Sequence, residues 1–183
     1  MEPPILRTMP RLLFVCLGNI CRSPAGENVM NHLIEKEGLE AHFEVDSAGT
    51  AGFHIGKAPD SRMTKAARDR GIMMKGRARQ VKPEDFEAYD WIFAMDRSNY
   101  EDLVAVRKRC NDPRAKLVPF CEFCERHEES EVPDPYYGGP EGFEKVLDLL
   151  GDGCSAFLRK WRDGELENRS EVLRDGARRS LTE

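Results

Sequence analysis

The sequence predicts a single α/β domain in which a central parallel sheet of four strands is flanked by helices, giving three layers. The first observation is length, because 183 residues are close to the size of one domain. The second is that short apolar runs alternate along the chain with segments of helical periodicity, which is typical of parallel strands joined by helices. We expect the domain over residues 10–162, a flexible lead at 1–9 and a polar tail at 163–183.

The first strand, loop and helix give the clearest structural signal. Residues 11–16 form a short apolar run that stops at a glycine-containing loop, which predicts a buried strand. Ser23 and Pro24 then favour a helix start, with Ser23 as the N-cap and Pro24 at the first helical position. Gly38 is the expected end of this helix.

The same alternation predicts the remaining elements. We expect further strands at residues 43–47, 90–95 and 115–120, and helices capped by Asp60 and Ser98. The last helix carries an apolar stripe that would pack on the sheet: Phe143, Val146, Leu147, Leu150, Cys154, Phe157, Leu158 and Trp161.

Composition excludes several classes of protein. The 28 Lys and Arg against 33 Asp and Glu give a net charge of −5, which argues against a nucleic-acid partner. The longest apolar run, residues 12–17, is far shorter than the roughly 20 residues of a membrane-spanning helix, so we expect no membrane association. The first seven residues lack the pattern of a signal peptide. The six cysteines are therefore expected to be reduced thiols in the cytoplasm.

The loop between the first strand and the first helix is predicted to hold an oxyanion. Backbone N–H groups at a helix N-terminus favour an anion, and Arg22 adds a planar fork for two phosphate oxygens. Gly18 relieves crowding in a tight ring. The same field favours the thiolate form of Cys16, and the Ser23 hydroxyl could donate to it. Alone, Cys16 would be a buried strand residue; with Arg22 six residues later, the nucleophile interpretation is favoured.

Two motifs together resemble the low-molecular-weight protein tyrosine phosphatase family. The first is Cys16 followed after five residues by Arg22-Ser23, and the second is the Asp-Pro-Tyr-Tyr-Gly-Gly segment at 134–139. The resemblance runs from about Arg11 to Trp161. It implies a flavodoxin-like fold of the phosphotyrosine phosphatase I type. The implied activity is metal-independent hydrolysis of phosphotyrosine in proteins, and of small aryl phosphates, through a cysteinyl-phosphate intermediate.

The resemblance also implies roles for individual residues. Cys16 would be the nucleophile, Arg22 would hold the phosphate oxygens, and Asp134 would act as general acid and then as base. No cofactor and no metal are implied. The rest of the phosphate-binding loop would be Leu17, Gly18, Asn19, Ile20, Cys21 and Ser23. The supporting residue Ser47 and the substrate-slot residues Phe53, Tyr136 and Tyr137 would complete the site.

Three positions bear on how this chain compares with the family. Many members carry a His where this chain has Gly76, and that His supports the loop. Members that act on phosphoarginine tend to have Thr where this chain has Ile20, so Ile20 favours aryl phosphates. Phe53 stands where other members have Trp or Tyr. In the family the two tyrosines at 136 and 137 are also targets of kinases, which makes a tyrosine kinase a possible partner beside the phosphotyrosine protein substrate.

The additional cysteines leave alternatives open. Cys21 could form a reversible disulfide with Cys16, as such pairs do in the family, or it could be an inert buried thiol. The spacing of Cys121 and Cys124, with His127 nearby, is like that of a metal site, but the second ligand pair of a structural zinc site is missing. Unpaired thiols are therefore favoured there.

Two other functions compete with the phosphatase hypothesis. An arsenate reductase would use a relay of further cysteines, for which Cys110, Cys121 and Cys124 are the candidates. A non-catalytic phosphate-binding module would lack the nucleophile or the acid, whereas this chain has both. We expect no role in the reaction for the histidines at 32, 42 and 54.

Overall fold

Four short strands form one parallel sheet in the computed structural model, which describes residues 9–166. The strands are β1 (Arg11–Cys16), β2 (Glu44–Gly49), β3 (Trp91–Ala94) and β4 (Lys116–Pro119). Their order across the sheet is β2-β1-β3-β4, and every neighbouring pair is parallel. The predicted lead at 1–9 and tail at 163–183 lie almost entirely outside the described residues.

Helices connect the strands and cover both faces of the sheet. They are α1 (Arg22–Lys36), α2 (Ser61–Asp69), α3 (Asp85–Ala88), α4 (Arg97–Arg107) and α5 (Pro140–Arg162), with 3-10 turns at Glu40–His42 and Phe120–Phe123. None of the helices within residues 9–166 is long and apolar enough to cross a membrane. The predicted fold class is confirmed: one three-layer α/β unit around a four-stranded parallel sheet.

Side chains alternate along β1 between two apolar clusters, one on each face of the sheet. Leu12 and Phe14 belong to the larger cluster, which also holds the buried residues of α1, α2 and α5. Leu13 and Val15 belong to the smaller cluster, with buried residues of α3 and α4. A strand buried on both faces has no polar alternation, which explains the continuous apolar run in the sequence. The apolar stripe predicted for the last helix is buried at every one of its positions.

Two predicted helix starts are wrong. The first helix begins at Arg22 with Cys21 as its N-cap, so Ser23 lies inside the first turn and its hydroxyl bonds other partners. The fourth helix is capped by Asp96, whose Oδ1 accepts from the backbone N–H of Asn99 at 2.7 Å, and not by Ser98. In both cases the N-cap lies two residues before the predicted one. Cys21 makes no side-chain capping bond, whereas Asp96 is a favoured N-cap residue and competes with Ser98 for the position. Asp60 caps α2 as predicted.

The close packing of α5 against the 3-10 turn at Phe120–Phe123 leads to a prediction about the free energy of unfolding. A Cβ at Gly153 would lie 2.5 Å from Cζ of Phe120, a ring that is 1% exposed, whereas a Cβ at Gly151 in the same helix meets nothing within 4 Å. Overpacking typically costs about 1–3 kcal/mol and exceeds the roughly 0.5–1 kcal/mol that a helix gains from Gly→Ala. We expect Gly153→Ala to lower the free energy of unfolding and Gly151→Ala to raise it.

Urea unfolding of the two variants beside the wild type is the measurement. Both substitutions add one methyl group to the same helix, so helix propensity cancels in the comparison. Equal stabilisation by both would show that Phe120 moves aside without cost, and would contradict the packing argument.

Candidate active site

The loop that follows β1 opens into a cavity at the carboxyl ends of the strands. Parallel α/β sheets bind ligands at this edge. The cavity has a volume of about 310 Å³. Its lining comes from three segments of the chain: Cys16, Leu17, Gly18, Ile20, Cys21 and Arg22 from the loop, Phe53 and His54 from the segment after β2, and Asp134, Tyr136 and Tyr137 from the segment before α5.

Cys16 lies at the end of β1 and at the base of this loop, where it is 3% exposed. Its Sγ is 3.0 Å from Oγ of Ser23 in the first turn of α1. Within residues 9–166, no protein acceptor is bonded to the backbone N–H groups of residues 17–23. Unbonded N–H groups at the start of a helix form an anion-binding site.

Asn19 holds the loop in its shape. Its φ of 56° is the only positive φ of a non-glycine residue among the described residues. Its Nδ2 donates to Oγ of Ser23 at 2.9 Å and to Oγ of Ser47 at 3.0 Å, and its Oδ1 accepts from the backbone N–H of Arg79 at 2.9 Å. These three bonds stabilise a backbone conformation that costs free energy in an L-residue.

Arg22 is 2% exposed, and its guanidinium is fixed by three oxygens. Its Nη1 donates to Oδ2 of Asp96 at 2.5 Å and to the carbonyl oxygen of Val132 at 3.1 Å, and its Nη2 lies 3.6 Å from Oδ2 of Asp134. A buried guanidinium held on one edge presents its remaining donors in a fixed direction. Asp96 therefore has two functions, since it also caps α4; the sequence analysis gave it neither.

The segment carrying Asp134 lies over the cavity and is held from the side by α2. Oδ1 of Asp134 accepts from the backbone N–H of Tyr136 at 3.1 Å, and its side chain is 43% exposed. Nη1 of Arg62 donates to the carbonyl oxygen of Tyr136 at 2.9 Å, and its guanidinium also stacks over the Tyr136 ring. Asp60 pairs with Arg62 and donates its backbone N–H to the carbonyl of Ile20 at 2.8 Å. These contacts tie the segment to the loop between β1 and α1.

Apolar side chains stand around the mouth of the cavity with unusually large exposure. Leu17 is 42% exposed, Phe53 73%, Tyr136 38% and Tyr137 94%. An exposed apolar rim around a polar base suits a ligand with a charged end and a flat apolar body. His54 also lines the cavity, with its ring packed against Gly18, although the sequence analysis assigned no role to it. A histidine in a loop carries no sequence signal that would reveal such a position.

The second cysteine of the loop differs from the first. Burial raises the pKa of the Cys21 thiol well above its ordinary value, and the nearby charge of Asp60 raises it further. All six cysteines are free thiols. Those outside the loop lie elsewhere in the fold and do not line the cavity: Cys110, Cys121, Cys124 and Cys154.

The cysteine and histidine cluster at 121–127 has protein partners of its own. Sγ of Cys124 donates to the carbonyl of Leu149, and Nδ1 of His127 lies 2.8 Å from Oδ2 of Asp152. Asp152 also accepts three backbone N–H groups of residues 125–127. In the part of the chain that the structure describes, no group of three or more His, Cys, Asp or Glu is placed to hold a metal ion.

Ser47 extends the bonds of the loop to an acidic side chain that the sequence analysis missed. Its Oγ donates to Oε2 of Glu27 in α1 at 2.6 Å. Gly76, with a φ of 102°, lies beside this carboxylate; a Cβ there would be 3.8 Å from Oε2. Burial raises the pKa of Glu27 to about 7.

Comparison with known proteins identifies, for most of the chain, the family that the sequence motifs resemble. A family model described as low molecular weight phosphotyrosine protein phosphatase matches residues 11–169. A Synechocystis protein that carries the name of this family is 51% identical over 152 residues, which cover 81% of this chain and 94% of the relative.

Solved structures agree in fold. A protein tyrosine phosphatase of Entamoeba histolytica, with Hepes in its active site, has a TM-score of 0.80 at 44% identity and covers 86% of this chain and 99% of its own. A drosophila arginine phosphatase has a TM-score of 0.78 at 32% identity, and the match covers 82% of this chain and 96% of that structure's chain. The chain belongs to the low molecular weight phosphotyrosine protein phosphatase family.

Proposed function

We propose that this enzyme hydrolyses phosphotyrosine in proteins, and small aryl phosphates, through a cysteinyl-phosphate intermediate. The observation that carries the proposal is the convergence of three groups on one cavity: the Cys16 thiol, the Arg22 guanidinium and the Asp134 carboxyl. A nucleophile, a cation for the phosphoryl oxygens and a proton donor are the groups that phosphoryl transfer to a thiol requires.

In the first step, the Cys16 thiolate attacks phosphorus and the bond between phosphorus and the phenolic oxygen breaks. Asp134 gives its proton to that oxygen as it leaves, so that a phenol is released rather than a phenolate. The guanidinium of Arg22 and the N–H groups of residues 17–23 hold the three remaining oxygens, on which charge accumulates in the transition state. The Ser23 hydroxyl, whose Oγ lies 3.0 Å from Sγ of Cys16, donates a hydrogen bond to the thiolate.

In the second step, water attacks phosphorus and gives a proton to the Asp134 carboxylate, and the bond between phosphorus and sulfur breaks. Inorganic phosphate leaves, and Cys16 returns as the thiolate. The same carboxyl group is thus the acid of the first step and the base of the second. No oxidant, reductant or cofactor enters the balance.

The rim supports a phosphorylated aromatic ring as the substrate. Leu17, Phe53 and Tyr136 line the cavity and are exposed, so they offer apolar surface to the ring of a phosphotyrosine whose phosphate is held by the loop. The solved relative named an arginine phosphatase makes phosphoarginine the natural competitor. Ile20, which lines the cavity, offers no hydroxyl to a guanidinium, and this favours the aryl ester.

A trapped intermediate is the direct test. The enzyme is mixed with a phosphotyrosine peptide in the presence of a chelator, quenched in acid within the first turnovers and digested for mass spectrometry. We expect phosphate on Cys16 and on no other cysteine. A parallel reaction with a phosphoarginine peptide should proceed at least about tenfold more slowly. Turnover without a phosphorylated Cys16, or a preference for phosphoarginine, would contradict the proposal.

The same assay separates the two alternatives. An arsenate reductase would consume thioredoxin and arsenate. The relay candidates at 110, 121 and 124 do not line the cavity, and the pKa of Cys21, which does line it, is raised by burial. A binding module would take up phosphate without releasing any from the peptide. We propose phosphotyrosine proteins as substrates and a tyrosine kinase as the partner that supplies them. The proposed location is the reducing cytoplasm, where Cys16 is protected from oxidation.

A further inference from the structure

Glu27 is an acidic residue with no cationic partner, yet it sits at the end of a chain of hydrogen bonds that leads to Cys16. Among residues 9–166, no Lys, Arg or His forms an ion pair with its carboxylate. Its hydrogen-bond partner is the Ser47 hydroxyl at 2.6 Å. An unpaired, largely buried carboxylate costs stability, so its presence calls for a functional reason.

The donors and acceptors along this chain can be counted. The two N–H bonds of the Asn19 amide go to Oγ of Ser47 and Oγ of Ser23. Ser47 thus receives one hydrogen, and it uses its own on Glu27. Ser23 likewise receives one hydrogen, which leaves its own for Sγ of Cys16 at 3.0 Å or the carbonyl of Ala48 at 3.2 Å. As long as the Glu27 carboxylate can only accept, the donor and the acceptor of each hydrogen bond from Ser47 through Asn19 to Ser23 are fixed.

We propose, on the basis of the phosphatase function above, that ionised Glu27 is a positioning residue that fixes the direction of the Ser47–Asn19–Ser23 hydrogen bonds and so holds the phosphate loop in its anion-binding shape. A carboxylate can only accept, so the Ser47 hydroxyl must point toward it and keep its lone pairs for Asn19. A protonated carboxyl can donate to Ser47. Ser47 then has one lone pair left for Asn19, and its own hydrogen has lost its acceptor. The hydroxyl orientation is no longer fixed, which weakens the Asn19 bond that supports the positive φ of that residue.

The charges around Glu27 do not neutralise it. The charge of Arg79 lowers the pKa of Glu27, but the Arg79 guanidinium bonds Asp46 and both oxygens of Asp85. The groups that face Glu27 from the elements around it are His32 and Glu35 on its own helix, Asp46 on β2, and Lys75, Arg77 and Arg79 on the segment after α2. Burial is the main reason why the pKa of Glu27 rises to about 7, and this brings its change of charge into the physiological range.

Glu27→Gln tests the proposal, because Gln has the shape of the protonated acid. We expect the ratio of wild-type to variant kcat with nitrophenyl phosphate to be close to 1 at pH 5.5, where both side chains are neutral. The ratio should rise to about five at pH 8, the equivalent of about 1 kcal/mol for one well-oriented hydrogen bond. Ionisations shared by the two proteins cancel in this ratio. A ratio that does not change with pH would overturn the proposal.

A purely electrostatic effect of the Glu27 charge predicts the opposite change in kcat. The negative charge of Glu27 repels a thiolate and a phosphate. If the Ser47–Asn19–Ser23 hydrogen bonds (the relay) had no role, removing this charge would make the variant faster and its phosphate binding tighter. In a Ser47→Ala background the relay is broken, and we expect Glu27→Gln to cause no further loss. An equal loss in both backgrounds would overturn the proposal. Glu35→Gln, which removes a charge from an exposed position of the same helix, is the control.

A phosphate-binding measurement keeps the test independent of turnover. Calorimetry with inorganic phosphate at pH 8 should show weaker binding to Glu27→Gln by the same factor of about five. If the wild type binds phosphate but hydrolyses no ester, the proposed function fails while the relay is still decided by this binding. Equal or tighter binding by the variant would overturn the relay.

The thermal stability of Glu27→Gln should increase at pH 8, although its activity decreases. The pKa of Glu27 is higher in the folded protein, about 7, than its ordinary value of 4.5, so the folded state binds this proton more tightly. The resulting stability is present below about pH 4.5 and is lost as the pH rises through 7. Glu27→Gln avoids this loss, and we expect its Tm at pH 8 to exceed that of the wild type by roughly 5 °C. A variant that is slower and also less stable would indicate ordinary structural damage, against the proposal.

Discussion

We expect Cys16→Ser to abolish turnover and to leave phosphate binding largely intact. A serine hydroxyl has no tendency to ionise at neutral pH, and kcat should fall by about 10⁵-fold or more, as it does when other enzymes lose their nucleophile. The anion site should survive because Arg22 and the backbone N–H groups of residues 17–23 are unchanged. Steady-state hydrolysis of nitrophenyl phosphate and calorimetry with inorganic phosphate measure the two properties.

Cys110→Ser is the matched control for this variant. Cys110 is a partly exposed free thiol at the end of α4 and does not line the cavity. The variant should hydrolyse the ester at the wild-type rate. Substantial activity in Cys16→Ser would remove Cys16 as the nucleophile, and loss of phosphate binding there would show that the loop itself depends on the sulfur.

Asp134→Ala separates good leaving groups from poor ones. If Asp134 protonates the leaving oxygen, its loss matters most for a phenol whose pKa is about 10, as in tyrosine, and least for a nitrophenol that leaves readily as the anion. We expect kcat to fall by about 10²–10⁴-fold with phenyl phosphate and by much less with nitrophenyl phosphate. The slope of log kcat against leaving-group pKa, over a series of substituted phenyl phosphates, is the measurement.

Asp69→Ala controls for the loss of a carboxylate near the same side of the molecule. Asp69 is exposed on α2 and pairs with Lys65, an interaction that contributes little to stability. Its variant should keep the wild-type slope. Equal losses with all esters in Asp134→Ala would mean that the residue acts only on the shape of the segment, for instance through the bond to the Tyr136 backbone.

The elements themselves were accessible from the sequence where the signal was local. The strand at 11–16 and the stripe of the last helix follow from apolar patterning, and both are present with the expected burial. The helix starts at Ser23 and Ser98 were predicted wrongly for two reasons: the Ser23 hydroxyl bonds groups other than the helix N–H groups, and a second good capping residue, Asp96, lies two positions before Ser98. Ser23 bonds Cys16 and Asn19, and the cap of α4 comes from Asp96.

In the candidate site, too, some residues could be predicted from the sequence and others could not. Spacing alone put Cys16 and Arg22 on one loop, and the resemblance to a family pointed to Asp134 more than a hundred residues later. The groups that orient these residues were not accessible. Asp96 reaches Arg22 across 74 positions of sequence, Glu27 reaches Ser47 across 20, and His54 packs on Gly18 from a loop without periodicity.

What the sequence by itself determined is the order of strands and helices along the chain and the residues of the loop after β1 that the proposed chemistry uses, because both depend on residues close together in sequence. What only the tertiary structure decided is how that loop is held: which oxygens fix Arg22, which side chains support the positive φ of Asn19, and that no cation among residues 9–166 forms an ion pair with Glu27. Hydrogen bonds act over about 3 Å in space whatever the separation in sequence. Their partners are therefore set by how the sheet and its helices pack, and no local pattern records them.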